Sequence, residues 1–293
     1  VGPAKSHLPP ARLGLAVKLS SPEAIALGRE ILRELAGRGV TGVVEAESAS
    51  ALGVSPGPMR AELGRHVDAV VVLGGDGTFL AVTRGCPAST PVAGVNLGTL
   101  GFLTEHRRER AFALLDELLA GRASIEERDR LQVVVGEGPD KQEFVALNDV
   151  VVTKAALARI LTINVEINGE FLSRYNADGL ILATPTGSTA YNLSAGGPIV
   201  HPDLAAMLIT PICSHTLRDR PLVVPLDRRV RVWVDSGNEE VYLTLDGQHG
   251  MPLPADVSVE VSAAAEKLSL VRDPTASFFS ILHRKLEWGA RET

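Results

Sequence analysis

The run Val70-Val71-Val72-Leu73-Gly74-Gly75-Asp76-Gly77-Thr78 joins an apolar strand to a glycine-rich turn that carries one carboxylate. No other segment constrains the fold as much, because this one asks for a strand, a tight turn and a helix opening just after Thr78. Glycines at 74, 75 and 77 permit positive φ and close backbone approach, and the N–H groups of a first helical turn favour an anion. The turn therefore reads as a phosphate site. It is neither of the two common ones: Leu80 stands where a GxGxxG fingerprint has its third glycine, and no GxxxxGK(S/T) loop occurs. An ordinary βα turn accounts for the glycines but not for Asp76. A carboxylate where phosphates bind is electrostatically unhelpful unless it holds a metal, orients a hydroxyl or takes its proton.

At 293 residues the chain is long enough for two domains with full cores. A strand over 12–19 leads to a helix with Ser21 as N-cap, Pro22 at its first position and Ile25, Leu27, Ile31, Leu32 and Leu35 at helical spacing, ended by Gly37 and Gly39. Strands over 40–45, 67–73 and 91–95 and a helix over 111–119 continue a β–α alternation that predicts a parallel sheet. Beyond about residue 125 the pattern changes. The runs 132–135, 145–153, 161–167, 180–183, 222–224, 230–234, 241–245 and 257–261 are short and β-rich, and Asn168-Gly169, Ser236-Gly237 and Asp246-Gly247 supply hairpin turns. The expected architecture is an α/β N-terminal domain with a parallel sheet, followed by an all-β, antiparallel, sandwich-like C-terminal domain. The expected boundaries are a loose tail over 1–10, an α/β domain over 11–125 and a β-rich domain over 126–273. Residues 274–293, with Phe278, Phe279, Ile281, Leu282 and Leu286 at helical spacing, return to the first domain.

The net charge of -6 offers no general attraction to nucleic acid, although Arg107, Arg108 and Arg110 form a local cluster that could touch phosphates. Apolar runs stop short of the roughly 20 residues that span a bilayer. Neither nucleic acid nor membrane is expected as a partner. Cys86 and Cys213 lack metal-ligand spacing and suit buried thiols in a reducing cytoplasm.

A second chemical cluster lies in the β-rich half: Asp178-Gly179, then TPTGSTAY over 184–191, then SAGGP over 194–198. Hydroxyls and exposed backbone N–H groups bind ribose and phosphate oxygens without bulk, and Tyr191 can stack on a flat base. A Ser/Thr-rich loop with a buried tyrosine is the alternative, and the glycine turn weighs against it.

Taken in order, GGDGT at 74–78, NxGxLGFL over 96–103, TPTGSTAY, SAGGP and the TPIC…RP segment over 210–221 resemble the NAD kinase family, over about residues 70–248. GGDGT alone is shared with lipid kinases; TPTGSTAY is far more specific. The resemblance implies transfer of the γ-phosphoryl group of ATP to the adenosine-ribose 2′-hydroxyl of NAD. It implies a divalent cation such as Mg2+, carried mainly by the ATP phosphates, a homodimer or homotetramer, and sites built between domains and a neighbouring subunit. Asp76 matches the proposed general base, and Gly74, Gly75, Gly77 and Thr78 match the phosphate turn, with Asp76 and Gly77 also meeting NAD. Asn148 and Asp149 match an Asn-Glu pair that contacts the adenosine, Asp178 an acidic NAD contact, and Gln248 a late polar contact. Thr189, Ala190, Tyr191, Asn192, Leu193 and Ser194 match the segment around the dinucleotide. Asn176 stands where relatives often carry Arg, and Arg159 aligns near another contact and compensates. His215 is read as structural. A lipid kinase would need an apolar lipid-facing surface instead, and a non-catalytic NAD(H)-binding regulator would have no use for Asp76.

Overall fold

The computed structural model describes residues 8–98, 101–155, 160–214, 216, 218–235, 240–254 and 257–287. Residues 1–7 of the expected tail, Arg159, His215 and the turn at 236–237 lie outside them. The chain divides into two compact units, Val1–Glu127 with Leu268–Thr293, and Arg128–Lys267.

In the first unit the order is β1 (Arg12–Val17), α1 (Pro22–Gly37), β2 (Thr41–Val44), α2 (Ala46–Leu52), β3 (Ala69–Leu73), α3 (Asp76–Thr83), β4 (Val92–Asn96), β5 (His106–Arg107), α4 (Ala111–Leu119) and β6 (Ile125–Arg128). The largely parallel sheet runs β2-β1-β3-β4, then the late strand Leu268–Val271, then β6, with β5 paired to β4. Parallel pairing of β1 with β2 and β3, and of β3 with β4, follows from the helical crossovers. Sheet residues such as Leu13, Leu15, Val71 and Leu73 pack with Leu27, Ile31 and Leu35 of α1 and Leu114, Leu115 and Leu118 of α4. As read from the sequence, the Ser21 hydroxyl caps α1 by accepting from Ala24 N at 3.2 Å. β1 stops at Val17 rather than at 19, because Lys18 O accepts from Ser21 N and turns the chain. Successive crossovers leave β1 and β3 in opposite directions along this order, so the loops after them face the switch point where open parallel sheets bind ligands. Those loops hold Lys18 and the GGDGT turn.

The second unit contains β7 (Leu131–Val135), β8 (Gln142–Ala146), β9 (Asp149–Lys154), β10 (Leu161–Ile167), β11 (Glu170–Ala177), β12 (Gly179–Ala183), α5 (Tyr191–Ser194), β13 (Ala206–Ile212), β14 (Leu222–Pro225), β15 (Val230–Val234), β16 (Val241–Leu245), β17 (His249–Leu253) and β18 (Val259–Ala263). These strands form two six-stranded sheets, β11-β10-β15-β18-β7-β8 and β14-β13-β12-β9-β16-β17, with antiparallel pairing between neighbours. Alternating side chains of both, among them Val133, Val150, Val152, Ile163, Leu180, Met207, Val232 and Leu243, meet in one core. β12 and β13 are buried at every position because the outer face of their sheet is covered too. Val151, Ile181, Ala183, Leu208 and Ile212 pack there against Val200, with Ala195 beside them. The hydroxyl-rich segment is thereby held on a rigid sheet.

Several elements differ from the expected ones. The run 145–153 is broken at Leu147-Asn148 into two strands, and β11, β13, β17 and α2 were not expected. The chain re-enters the first unit at Leu268, ahead of 274, and a helix, Phe278–Leu286, capped by Ser277, follows. Cys86 is a buried thiol as expected, but Cys213 is exposed, in a turn after β13 at φ 46°.

Candidate functional site

In the first unit the site is the junction of β3 and α3. The glycines there serve for room rather than for left-handed backbone: Gly75 is extended at φ -98°, and positive φ is found at neither Gly74 nor Gly77. This corrects the expectation of a positive-φ turn. A Cβ on Gly74 would lie 2.9 Å from Thr78 Oγ1 and 3.1 Å from Lys18 Cβ, whereas one on Gly75 would meet nothing within 4 Å. Gly74 is thus packed, and Gly75 presents bare backbone to open space.

Asp76 opens α3, and its carboxylate is turned onto the loop that follows β4. Oδ2 accepts from Phe102 N at 2.9 Å, and Oδ1 from Leu103 N at 3.2 Å, Thr104 N at 3.1 Å and Thr104 Oγ1 at 2.9 Å. Gly101 makes this approach feasible, since a Cβ there would stand 2.0 Å from Asp76 Oδ1. Beside the same loop a cavity of about 480 Å³ is lined by Glu23, Asn96, Leu97, Gly98, Arg107, Arg108 and Glu109. Arg110, the third cation of the cluster, instead pairs with Glu117 and Asp273.

In the second unit the site is organised by Asp246, which the sequence presented only as a turn residue. At φ 53° in the β16–β17 turn, its carboxylate accepts from Leu147 N at 3.1 Å, Asn148 N at 2.7 Å and Asp149 N at 3.2 Å. Those captured N–H groups explain why the 145–153 run is broken. Thr184 ties the next segment to the same turn: its hydroxyl donates to Leu147 O at 2.6 Å and accepts from Gly187 N at 3.0 Å. A Cβ on Gly187 would stand 2.0 Å from Asn148 O, so only glycine fits. Asn148, Asp149 and the 184–189 segment are therefore one cluster, with the exposed Gln248 two residues beyond Asp246.

Two features of that cluster await a partner. The buried Asn148 Oδ1 has no hydrogen bond among the described residues, an unmet acceptor of the kind that costs about 1–3 kcal/mol. Asp149 is also buried, and burial first, then the Asp246 charge, push its carboxyl up to about 7. An acceptor amide and a carboxylate near its neutral point suit the amine and hydroxyl donors of a nucleoside.

The remaining residues fall in three groups. Tyr191 is 47% exposed, with Thr189 and Ala190 half-buried, so its ring is available for stacking. Asn192 is fully buried; its Nδ2 donates to Ser188 O and Pro198 O, and its Oδ1 accepts from Thr210 Oγ1, so its amide holds the 188–198 loop together. Leu193 is half-buried and Ser194 exposed. Asp178 pairs with Lys154 at 2.9 Å, and Asn176 is exposed on β11, where it accepts from Thr162. Because Asp149 faces Ala183 across β9 and β12, Asp178 lies at the far end of β12, roughly 16 Å away at strand spacing. Asp178 and Asn176 therefore do not join the Asp149 cluster within this unit.

Residues 13–123 match the family described as the ATP-NAD kinase N-terminal domain, and residues 147–273 match the ATP-NAD kinase C-terminal domain. NAD kinases of Syntrophotalea carbinolica and Geobacter sulfurreducens are 41% and 43% identical over 96% of this chain and 99% of their own length. The chain belongs to the NAD kinase family. It is accordingly a kinase, and NAD is what it phosphorylates. Among solved structures it is similar to the yeast NADH kinase complexed with NADH, at TM-score 0.88 and 28% identity, covering 99% of this chain and 91% of that one. An NAD kinase from Archaeoglobus fulgidus in complex with ATP shares the fold at TM-score 0.74 and 24% identity, covering 94% and 98%. NAD kinase motifs carried Asp76, Asn148 and Asp149 in the sequence, but Thr104, Thr184 and Asp246 lie outside the assignments made from them. Among the described residues no helix is long and apolar enough to cross a membrane.

Proposed function

We propose that this chain moves the γ-phosphoryl group of ATP to the 2′-hydroxyl of the adenosine ribose of NAD, releasing ADP and NADP. The observation that carries this reading is the Asp76 carboxylate, held by four donors at the end of a glycine turn in a chain of this family. Asp76 takes the proton of the 2′-hydroxyl as its oxygen bonds to the γ-phosphorus and the bond to the β-phosphoryl oxygen breaks. Because phosphoryl transfer relies chiefly on positioning and charge stabilisation, a fixed carboxylate is what the step needs. Asn148 Oδ1 and Asp149 accept from the adenosine, Tyr191 stacks on a base, and bare backbone at Gly75 lies along the phosphates.

Among the described residues no group of three or more His, Cys, Asp or Glu side chains forms a metal cage. In our reading a divalent cation would be carried mainly by the ATP phosphates and, when bound, would neutralise their charge. We further propose a cytoplasmic homo-oligomer. The separation of Asp178 and Asn176 from the Asp149 cluster supports it, since both would then serve a neighbouring subunit.

Incubation with ATP, Mg2+ and NAD should yield NADP. Asp76→Asn should lower turnover about 10²- to 10⁴-fold while leaving NAD affinity largely intact. NAD binding without product would favour a regulator on the same fold, and unchanged turnover in the variant would remove Asp76 from the chemistry.

A further inference from the structure

We propose that Asn96 and Thr104 are positioning residues for Asp76, and that the proton of the 2′-hydroxyl goes to Asp76 Oδ2. The inference rests on Asp76 being the base and specifies which atom acts and what holds it. Hydrogen-bond direction along the loop is determined from one end. Gly98 N can only donate, and it lies 2.7 Å from Asn96 Oδ1, so the opposite end of that amide is the donor Nδ2. Nδ2 donates to Thr104 Oγ1 at 3.0 Å, which leaves the threonine proton for Asp76 Oδ1 at 2.9 Å. The chain Gly98 to Asn96 to Thr104 to Asp76 therefore runs in one direction only.

The consequence is an asymmetric carboxylate. Oδ1 already accepts from Leu103 N, Thr104 N and Thr104 Oγ1, more than its two lone pairs ordinarily serve. Among the described residues Oδ2 accepts only from Phe102 N, which leaves one lone pair for an incoming hydroxyl. Both relay side chains are shielded from water, Thr104 completely and Asn96 nearly so, and hydrogen bonds in such surroundings hold geometry well. Gly94 secures the packing, because a Cβ there would come within 2.7 Å of Thr104 Cγ2. Losing the Thr104 hydroxyl removes the one side-chain donor on Oδ1 and lets the carboxylate rotate away from the geometry that presents Oδ2.

The test compares Thr104→Val, which removes the hydroxyl at nearly constant volume, with Thr104→Ser, which keeps it. Thr104→Val should lower kcat about 10- to 100-fold, the loss expected for one hydrogen bond to a charged group, with KM for NAD and ATP within about twofold. Thr104→Ser should restore kcat to within about threefold of the parent. Asn96→Asp is the second probe. It is isosteric, and its acceptor oxygen draws the threonine proton away from Asp76, so it too should lower kcat with little change in KM. If Thr104→Val fails to fold, that variant decides. Parental kcat in folded Thr104→Val, or in Asn96→Asp, overturns the relay while inactive Asp76→Asn leaves the base assignment standing. Parental kcat in Asp76→Asn overturns both. A loss confined to KM assigns the loop to substrate binding and also overturns the relay.

Discussion

Asp149 makes the affinity for NAD depend on pH in a direction the structure dictates. Its carboxyl is raised from 3.8 to about 7, by burial first and by Asp246 second. If NAD binds the carboxylate through its hydroxyl donors, only the ionised protein is competent, and binding expels a proton. With a carboxyl near 7, about one molecule in eleven is ionised at about pH 6 and about ten in eleven at about pH 8. Affinity should therefore be about tenfold weaker at pH 6 than at pH 8. Stability without ligand should move the other way. The folded pKa lies above the unfolded one, so the contribution is fully present below about pH 4 and is lost as pH rises through about 7, on the order of 4 kcal/mol in all. Titration calorimetry in buffers of different ionisation enthalpy measures both the dissociation constant and the proton released, and thermal unfolding gives the second trend. Asp149→Asn should flatten both profiles, separating Asp149 from His106, whose pKa burial lowers. A flat NAD affinity in the parent, with no proton released near pH 7, would falsify the placement of NAD on Asp149.

Tyr191→Ala should raise the NAD dissociation constant about 5- to 150-fold if the half-exposed ring stacks on a base, as one aromatic contact is worth about 1–3 kcal/mol. An unchanged constant by the same calorimetry makes the ring a packing residue. Gly187→Ala places a methyl 2.0 Å from Asn148 O and should lower stability by about 1–3 kcal/mol, read from the denaturation midpoint, and weaken NAD binding with it. A parental midpoint would mean that the 184–189 segment is not tied to Asn148 as tightly as drawn.

Much of the fold was legible because its signals are local. The Ser21 cap with Pro22, the apolar spacing of α1 and α4, and the Asn168-Gly169 and Asp246-Gly247 turns each depend on residues a few positions apart. β11 was not legible: Glu170, Ser173, Arg174 and Asn176 dilute the apolar pattern of an edge strand that is largely exposed. β13 was hidden for the opposite reason, being apolar except at Thr210 and containing Pro211, with both its faces buried by elements distant in sequence.

For the site, the sequence alone determined which chemistry is present: a glycine turn ending in Asp76, an Asn148-Asp149 pair, and a hydroxyl-rich loop with one tyrosine. Only the tertiary structure decided what those groups can do. The donors that hold Asp76 lie at Phe102, Leu103 and Thr104, and the carboxylate that raises Asp149 and breaks its strand is Asp246. Local periodicity reports which face a residue shows; it carries no information about which distant backbone N–H groups will meet a given carboxylate. That pairing is set by sheet order and by how closely glycines at 94, 101 and 187 let two segments approach.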